Sequence, residues 1–92
     1  MTYFWQNPAC PRGLEVQTLL FPTEEFTAKQ AKNWAKSHDF RYGKVDTTAH
    51  YHRLRQREPE NFTSGSFRTI NFGDSGIKAV TACPRPGRES DR

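Results

Sequence analysis

The stretch FTAKQAKNWAKSHDF, Phe26 to Phe40, decides the fold class because it carries the clearest helix signals in the chain. Thr27 and Gln30 have the spacing of a capping box, in which each side chain accepts the other residue's backbone N–H. Phe26 and Ala31 have the spacing of a hydrophobic staple. Small apolar residues and a tryptophan recur at the helical period, and these are Ala28, Ala31, Trp34 and Ala35. The pattern predicts an amphipathic helix that packs closely on a sheet.

Four strand-like segments surround this helix in the order β-α-β-β-β. Residues 13–22 form an apolar, β-branched run closed by proline. Residues 44–59 have the pattern of one long strand, bent or split near Thr47. Residues 66–73 and 76–84 are two strands joined by GDSG, a strong hairpin signal. The predicted class is α+β, with one amphipathic helix on a three- to four-stranded, mainly antiparallel sheet.

Alternation along the strands predicts which side chains face the core. In the hairpin, Arg68, Ile70 and Phe72 make a better core set than the residues that alternate with them, and Ile77 lies opposite. Gln56 and Arg68 are expected to be partly buried and structural, because they neighbour apolar residues on central strands.

Length and composition limit the protein to one small domain. Its 92 residues are just enough for a single core, and 13% of them are aromatic, so the core is expected to be aromatic-rich. The predicted organisation is an aromatic N-terminal arm over residues 1–12, a folded domain over residues 13–84 and a disordered tail over residues 85–92. The arm carries three consecutive aromatic residues, Tyr3, Phe4 and Trp5. They either cap the core or anchor a partner.

The two cysteines lie at either end of the predicted domain. Cys10 and Cys83 sit in the repeated tetrapeptide Ala-Cys-Pro-Arg. No membrane span and no secretory signal are recognised, so a cytoplasmic location is expected. A bridge between the cysteines is conceivable, but two free thiols are favoured in a reducing cytoplasm.

The sequence does not predict an enzyme. Ser64 and Ser75 lie in ordinary turn sequences rather than in a nucleophile elbow. The carboxylates are scattered, and no glycine loop has phosphate-binding spacing. His50 and His52 share one strand face, yet no Cys-x-x-Cys or His-x3-His spacing completes a zinc site. No catalytic residue, metal or cofactor is assigned.

The stretch AHYHRLRQRE, residues 49–58, carries the pattern most relevant to binding. From Lys29 to Arg57, eight Lys or Arg residues face two acidic ones, a balance of +6 in a chain of net charge +4. Tyr51, Arg53 and Arg55 fall on one strand face, where they could stack a base and contact phosphates, or meet an acidic protein surface. The alternative is that these arginines only pair with acidic neighbours and solubilise the sheet. The predicted binding set is Tyr51, Arg53, Arg55, Arg57, Lys29, Lys32 and Lys36.

A series of short motifs between Phe26 and Val80 resembles a small module of bacteriophage and prophage proteins. The shared pattern is a helix ending near W-x3-H-x-F, a Tyr-Arg-x-Arg-Gln strand, a Phe after a Pro, and then Ser-Phe-Arg-Thr-Ile and Gly-Ile-Lys-Ala-Val. His52 follows Tyr51 here and departs from that pattern. The matching positions are Trp34, His38, Phe40, Tyr51, Arg53 to Gln56, Pro59, Phe62, Ser66 to Ile70 and Gly76 to Val80.

The resemblance implies a phage or prophage origin in a capsid-assembly or prohead-protease context. No protease domain is recognised in this sequence, so no catalytic residue is carried over. The implied protein is a non-enzymatic binding module in the cytoplasm of a host cell, with an acidic protein or a nucleoprotein complex as its partner. Small phage proteins of this size often inhibit host defence, for instance as anti-CRISPR proteins. The alternatives are a single-stranded nucleic-acid-binding protein and a phage head-assembly accessory protein.

Overall fold

The computed structural model describes Cys10 and residues 13–72 and 76–88. These residues form one α-helix, five strands and a short 3-10 helix at Pro59–Asn61. The sheet order is β2-β3-β1-β5-β4, and every neighbouring pair is antiparallel. The elements are β1 (Glu15–Pro22), α1 (Ala28–Ser37), β2 (Asp46–Thr47), β3 (Tyr51–Arg55), β4 (Arg68–Asn71) and β5 (Lys78–Ala82).

The predicted α+β class is confirmed, with five strands instead of three or four. The additional strand arises because the segment predicted as one long strand splits near Thr47. Its two parts fold back on each other, and Thr47 of β2 pairs with His52 of β3.

Helix α1 begins at the predicted capping box. The Gln30 backbone N–H donates to Thr27 Oγ1 over 3.1 Å, and the Thr27 N–H donates to Gln30 Oε1 over 2.8 Å. The helix ends at Ser37, within the stretch Phe26 to Phe40 that carries the helix signals. Asp39 adopts a left-handed φ of 64°, and the Phe40 N–H donates back to the Ala35 carbonyl over 2.8 Å. This geometry is a Schellman motif in which aspartate occupies the position that glycine usually fills.

One face of the sheet packs on the helix and forms the core. Leu19 at the centre of β1 pairs with Leu54 on β3 and with Ala79 on β5, and all three are fully buried. Ala31 and Ala35 of the helix are fully buried against them. Because an alanine methyl group is small, the helix axis can lie close to the sheet.

Aromatic rings complete this core at its rim. The Trp34 ring meets Phe21 edge-on at a centroid distance of 5.6 Å and meets Phe72 edge-on at 5.7 Å. Phe40 lies nearly parallel to Trp34 at 6.1 Å. Such pairs each contribute about 0.5–1.5 kcal/mol beyond the burial of their area.

Strand β4 is an edge strand, and two predictions for it are wrong. Ile70 pairs with Ala79, which is on the core side, but Ile70 remains 44% exposed. Arg68 is exposed rather than partly buried. The reason is that α1 packs over β3 and the sheet centre, and β4 lies beyond β5. Phe72 and Ile77 do pack with the core, and the hairpin turn at 73–75 lies outside the described residues.

Cys10 and Cys83 form a disulfide with a Cα–Cα distance of 5.5 Å, so the prediction of two free thiols is wrong. Glu15 pairs with Ala82 next to Cys83, and the Gly13 N–H donates to the Cys10 carbonyl over 3.2 Å, which holds the first cysteine near this point. Antiparallel pairing of distant strands therefore places the two cysteines together. The rest of the predicted arm, including its three aromatic residues, lies outside the described residues.

Residues 85–88 belong to the predicted tail, and they contact the 3-10 helix. The Arg85 backbone N–H donates to Asn61 O over 2.8 Å, and its Nε donates to Glu60 O over 3.0 Å. Arg88 donates to Asn61 Oδ1 over 2.8 Å. Arginine donors thus satisfy acceptors at the end of the short helix. Residues 89–92 lie outside the described residues.

With ten residues, α1 is about 15 Å long. Within the described part of the chain, no helix is long and apolar enough to cross a membrane.

Candidate binding surface

Strand β3 separates its side chains onto two faces. Leu54 and His52 are buried on the side that packs against the helix. Arg53 and Arg55 alternate with them and are exposed on the opposite side, and Tyr51 is half-buried there. The predicted alignment of these three residues on one strand face is present, with about 7 Å between successive positions on that face.

Strand pairing adds a lysine that the sequence analysis did not include. Arg53 pairs with Leu20 on β1, and Leu20 pairs in turn with Lys78 on β5. Lys78 therefore lies on the same face two strands away, about 10 Å from Arg53. Its Nζ donates to Asn71 Oδ1 over 3.2 Å. We call Tyr51, Arg53, Arg55 and Lys78 the basic face.

Aliphatic side chains separate the cations of the basic face. Leu20 lies between Arg53 and Lys78 and is half-buried. Val80 pairs with Thr18, which pairs with Arg55 on the other side. Thr18 is almost fully buried and Val80 is half-buried. The surface thus combines exposed charges with partly accessible apolar area.

The charges of the basic face are only lightly compensated. Arg55 forms an ion pair with Glu58 at 3.3 Å, in which both side chains are more than half exposed. Exposed pairs of this kind contribute about 0–1 kcal/mol and exchange readily with other partners. Asp46 is opposite Arg53 in the register, yet among the described residues Arg53 makes no ion pair.

Arg57 was predicted to belong to the same surface, but the structure gives it a different environment. Its guanidinium donates to Glu15 Oε1 over 2.6 Å and to the Arg88 carbonyl, and lies 5.4 Å from the Phe62 ring centroid. Only 22% of its side chain is exposed. The physical cause is a bulge after Arg55, where the N–H groups of residues 56 and 57 both donate to Gln17 O. Arg57 therefore ties the two ends of the fold together.

The helix lysines also lie apart from the basic face. Helix α1 packs through Ala31 and Ala35 on one side of the sheet, and Arg53 and Arg55 lie on the other side. The sheet therefore separates the two groups of cations. Lys36 is placed 5.8 Å from the Tyr42 ring centroid. The predicted helix cations therefore do not belong to the basic face. They are Lys29, Lys32 and Lys36.

The two histidines of β3 and its preceding turn have separate environments. His52 is 8% exposed, and its Nε2 lies 2.9 Å from the Phe26 carbonyl oxygen. Because a carbonyl only accepts, Nε2 carries a proton and donates to it, and Nδ1 forms a hydrogen bond of 2.9 Å with Thr47 Oγ1. Both ring nitrogens are thus used in holding β2, β3 and the helix start together, and His50 is exposed. Within the described residues, no group of three or more metal-ligating side chains is found.

Comparison with known proteins adds no assignment to this surface. No protein-family model matches the chain, and no significant match was found among curated proteins or solved structures. The functional proposal therefore depends on the geometry of the basic face together with the sequence motifs.

Proposed function

We propose that this protein is a non-enzymatic binding module that docks through its basic face on an acidic surface of a protein or nucleoprotein. The observation that carries the proposal is the position of Arg53 and Arg55. Both are exposed on the sheet face opposite the helix, next to Tyr51 and in line with Lys78 across β1. An acidic partner would meet several cations at once over a span of about 10 Å.

The mixed character of the face favours a protein surface over a bare nucleic acid. Tyrosine and arginine are enriched among the residues that dominate protein–protein binding energy. Leu20 and Val80 add apolar area between the charges, which a partner can bury. Nucleic-acid sheets that bind single strands use several aromatic rings for successive bases, and β3 contributes one such ring to this face, that of Tyr51.

The resemblance of residues 26–80 to a phage module supports a more specific form of the proposal. The partner would be a component of the host cell, and the protein a phage-encoded inhibitor of host defence, such as an anti-CRISPR protein. A nucleoprotein target suits this role, because a basic surface is attracted to the acidic side chains and phosphate groups that such a complex exposes. A phage head-assembly accessory role would use the same face on a capsid-associated protein.

The test is affinity capture from bacterial lysate with the tagged protein, with and without nuclease, followed by mass spectrometry. The double variant Arg53→Ala with Arg55→Ala removes two charges from the basic face. Lys29→Ala with Lys36→Ala removes the same net charge from the helix and serves as the matched control. We expect one captured protein to survive nuclease, to disappear with the arginine variant and to remain with the lysine control.

Two outcomes would contradict the proposal. If the arginine variant loses its circular dichroism spectrum, the arginines are structural and the surface is wrongly assigned. If nuclease removes every captured protein, single-stranded nucleic acid becomes the better partner. Binding of labelled single-stranded DNA should then weaken steeply with salt, because phosphate contacts release counterions.

A further inference from the structure

A polar cleft of about 380 Å³ opens where β3 ends, beside the basic face. The loop that follows the helix supplies Arg41 and Lys44 to one wall, and the end of β3 supplies Arg55. Asp46 and Asn61 also line the cleft. We propose that this cleft binds the phosphate group of a small phosphorylated sugar. The inference goes beyond the proposed docking function, because it concerns a small-ligand site that shares Arg55 with the basic face and takes its other residues from elsewhere.

One buried side chain, that of Gln56, fixes the loop wall of the cleft in place. Gln56 is 7% exposed, and its Oε1 accepts the Arg41 backbone N–H over 2.7 Å. Its Nε2 donates to the Arg41 carbonyl over 3.0 Å. These two reciprocal hydrogen bonds hold the loop against the end of β3, as a neighbouring strand would. The position of the Arg41 backbone is therefore set by the fold and does not depend on a ligand.

The lining has an excess of positive charge. Four cationic side chains and two carboxylates surround the space. Arg57 is engaged by Glu15 and Arg55 by Glu58. In contrast, Arg41 and Lys44 are exposed, and neither forms an ion pair within the part of the chain that the structure describes. The uncompensated charge is thus concentrated on the loop wall.

The donor and acceptor types indicate which ligand fits. A guanidinium and an ammonium group are the usual donors for phosphate oxygens in proteins. Asn61 Oδ1 accepts from Arg88, which leaves the Asn61 amide nitrogen as a further donor. Asp46 would repel a second phosphate but can accept hydrogen bonds from hydroxyl groups. A phosphate on the loop wall with sugar hydroxyls toward Asp46 satisfies both kinds of group, and the volume lies at the small end of ligand sites.

The experiment is a titration of the ¹⁵N-labelled full chain with ribose 5-phosphate, followed by two-dimensional NMR. Inorganic sulfate at matched ionic strength and ribose without phosphate are the control ligands. We expect saturable shifts confined to residues 41–46 and 55–61 with ribose 5-phosphate only. The double variant Arg41→Gln with Lys44→Gln should weaken binding about tenfold or more, since it removes charge-assisted hydrogen bonds from an exposed loop.

Matched variants separate this site from general charge effects. Lys29→Gln with Lys32→Gln removes the same charge from the first part of the helix and should leave the affinity within about twofold, because neither side chain lines the cleft. Arg53→Ala removes a residue of the basic face that does not line the cleft and should also leave it unchanged. The proposal would be overturned if the helix lysine variant weakened binding as much as Arg41→Gln with Lys44→Gln. Shifts spread over all basic regions, or shifts that do not saturate, would also overturn it. If the native chain captures no partner but still binds ribose 5-phosphate, only the docking function is contradicted.

Discussion

The two faces of the sheet use the same strands for different purposes, and β3 shows the contrast within three residues. Leu54 is fully buried under the helix, while Arg53 and Arg55 on either side of it are exposed on the basic face. On the covered face a side chain is fixed by all its packed neighbours. On the basic face a side chain has room to meet another molecule. Residues adjacent in sequence should therefore divide cleanly between stability and binding.

The largest effect is expected on the covered face. Leu54→Ala removes a fully buried side chain at the centre of the core. We expect it to lower the free energy of unfolding by about 2–5 kcal/mol, because both transfer energy and a cavity contribute. Urea unfolding followed by tryptophan fluorescence measures this change. The adjacent Arg53→Ala should change it by less than about 0.5 kcal/mol, and comparable losses for the two variants would remove the distinction between the faces.

The disulfide should have the next largest effect. The bond between Cys10 and Cys83 joins positions 73 residues apart. Restricting the unfolded chain over such a loop typically stabilises a protein by about 2–4 kcal/mol. Thermal unfolding with and without a reducing agent should therefore show a lower melting temperature after reduction. The variant Cys10→Ser should start at the lower temperature and not respond to the reductant. No response of the native chain would mean that its thiols are free.

A smaller loss is expected at the start of the helix. Thr27→Ala removes the hydrogen bond that caps the Gln30 N–H and half of the capping box. The expected loss is about 1 kcal/mol of the free energy of unfolding. Thr27→Ser keeps the hydroxyl group and should stay within about 0.5 kcal/mol of the native chain by the same measurement. Equal losses for the two variants would show that the methyl group, rather than the cap, stabilises the helix.

The features that could be predicted from the sequence are those set by local periodicity. The capping box is contained within four residues, and the split of β3 into two faces follows from alternation over five. The helix ends at Ser37, before the last residues of the stretch with helix signals, because Asp39 takes the left-handed conformation expected of a glycine. The signal was present in part, since aspartate tolerates that conformation better than most residues do.

The features that could not be predicted depend on which strands are neighbours. Lys78 joins the basic face only because β1 lies between β3 and β5. Arg57 leaves that face because of a bulge, and no sequence signal marks the extra residue. Ile70 is on the core side of its strand but too far from the helix to be covered. The positions of Lys78 and Ile70 follow from the sheet order, and that of Arg57 follows from an irregularity in strand pairing. Local patterns encode neither.

The smallest effect on stability should come from Glu58→Gln, and it tests the basic face most directly. Glu58 pairs with Arg55 in an exposed contact, so its removal should change the free energy of unfolding by less than about 0.5 kcal/mol. It should nevertheless strengthen binding to a polyanion, because Arg55 loses the only ion-pair partner that it has among the described residues. Glu24→Gln is the matched control, since it has the same net charge but changes an exposed residue at the turn before the helix. On a heparin column, Glu58→Gln should elute at higher salt than Glu24→Gln. Elution at the same salt would mean that polyanion binding depends on the total charge of the protein. It would contradict binding at the basic face.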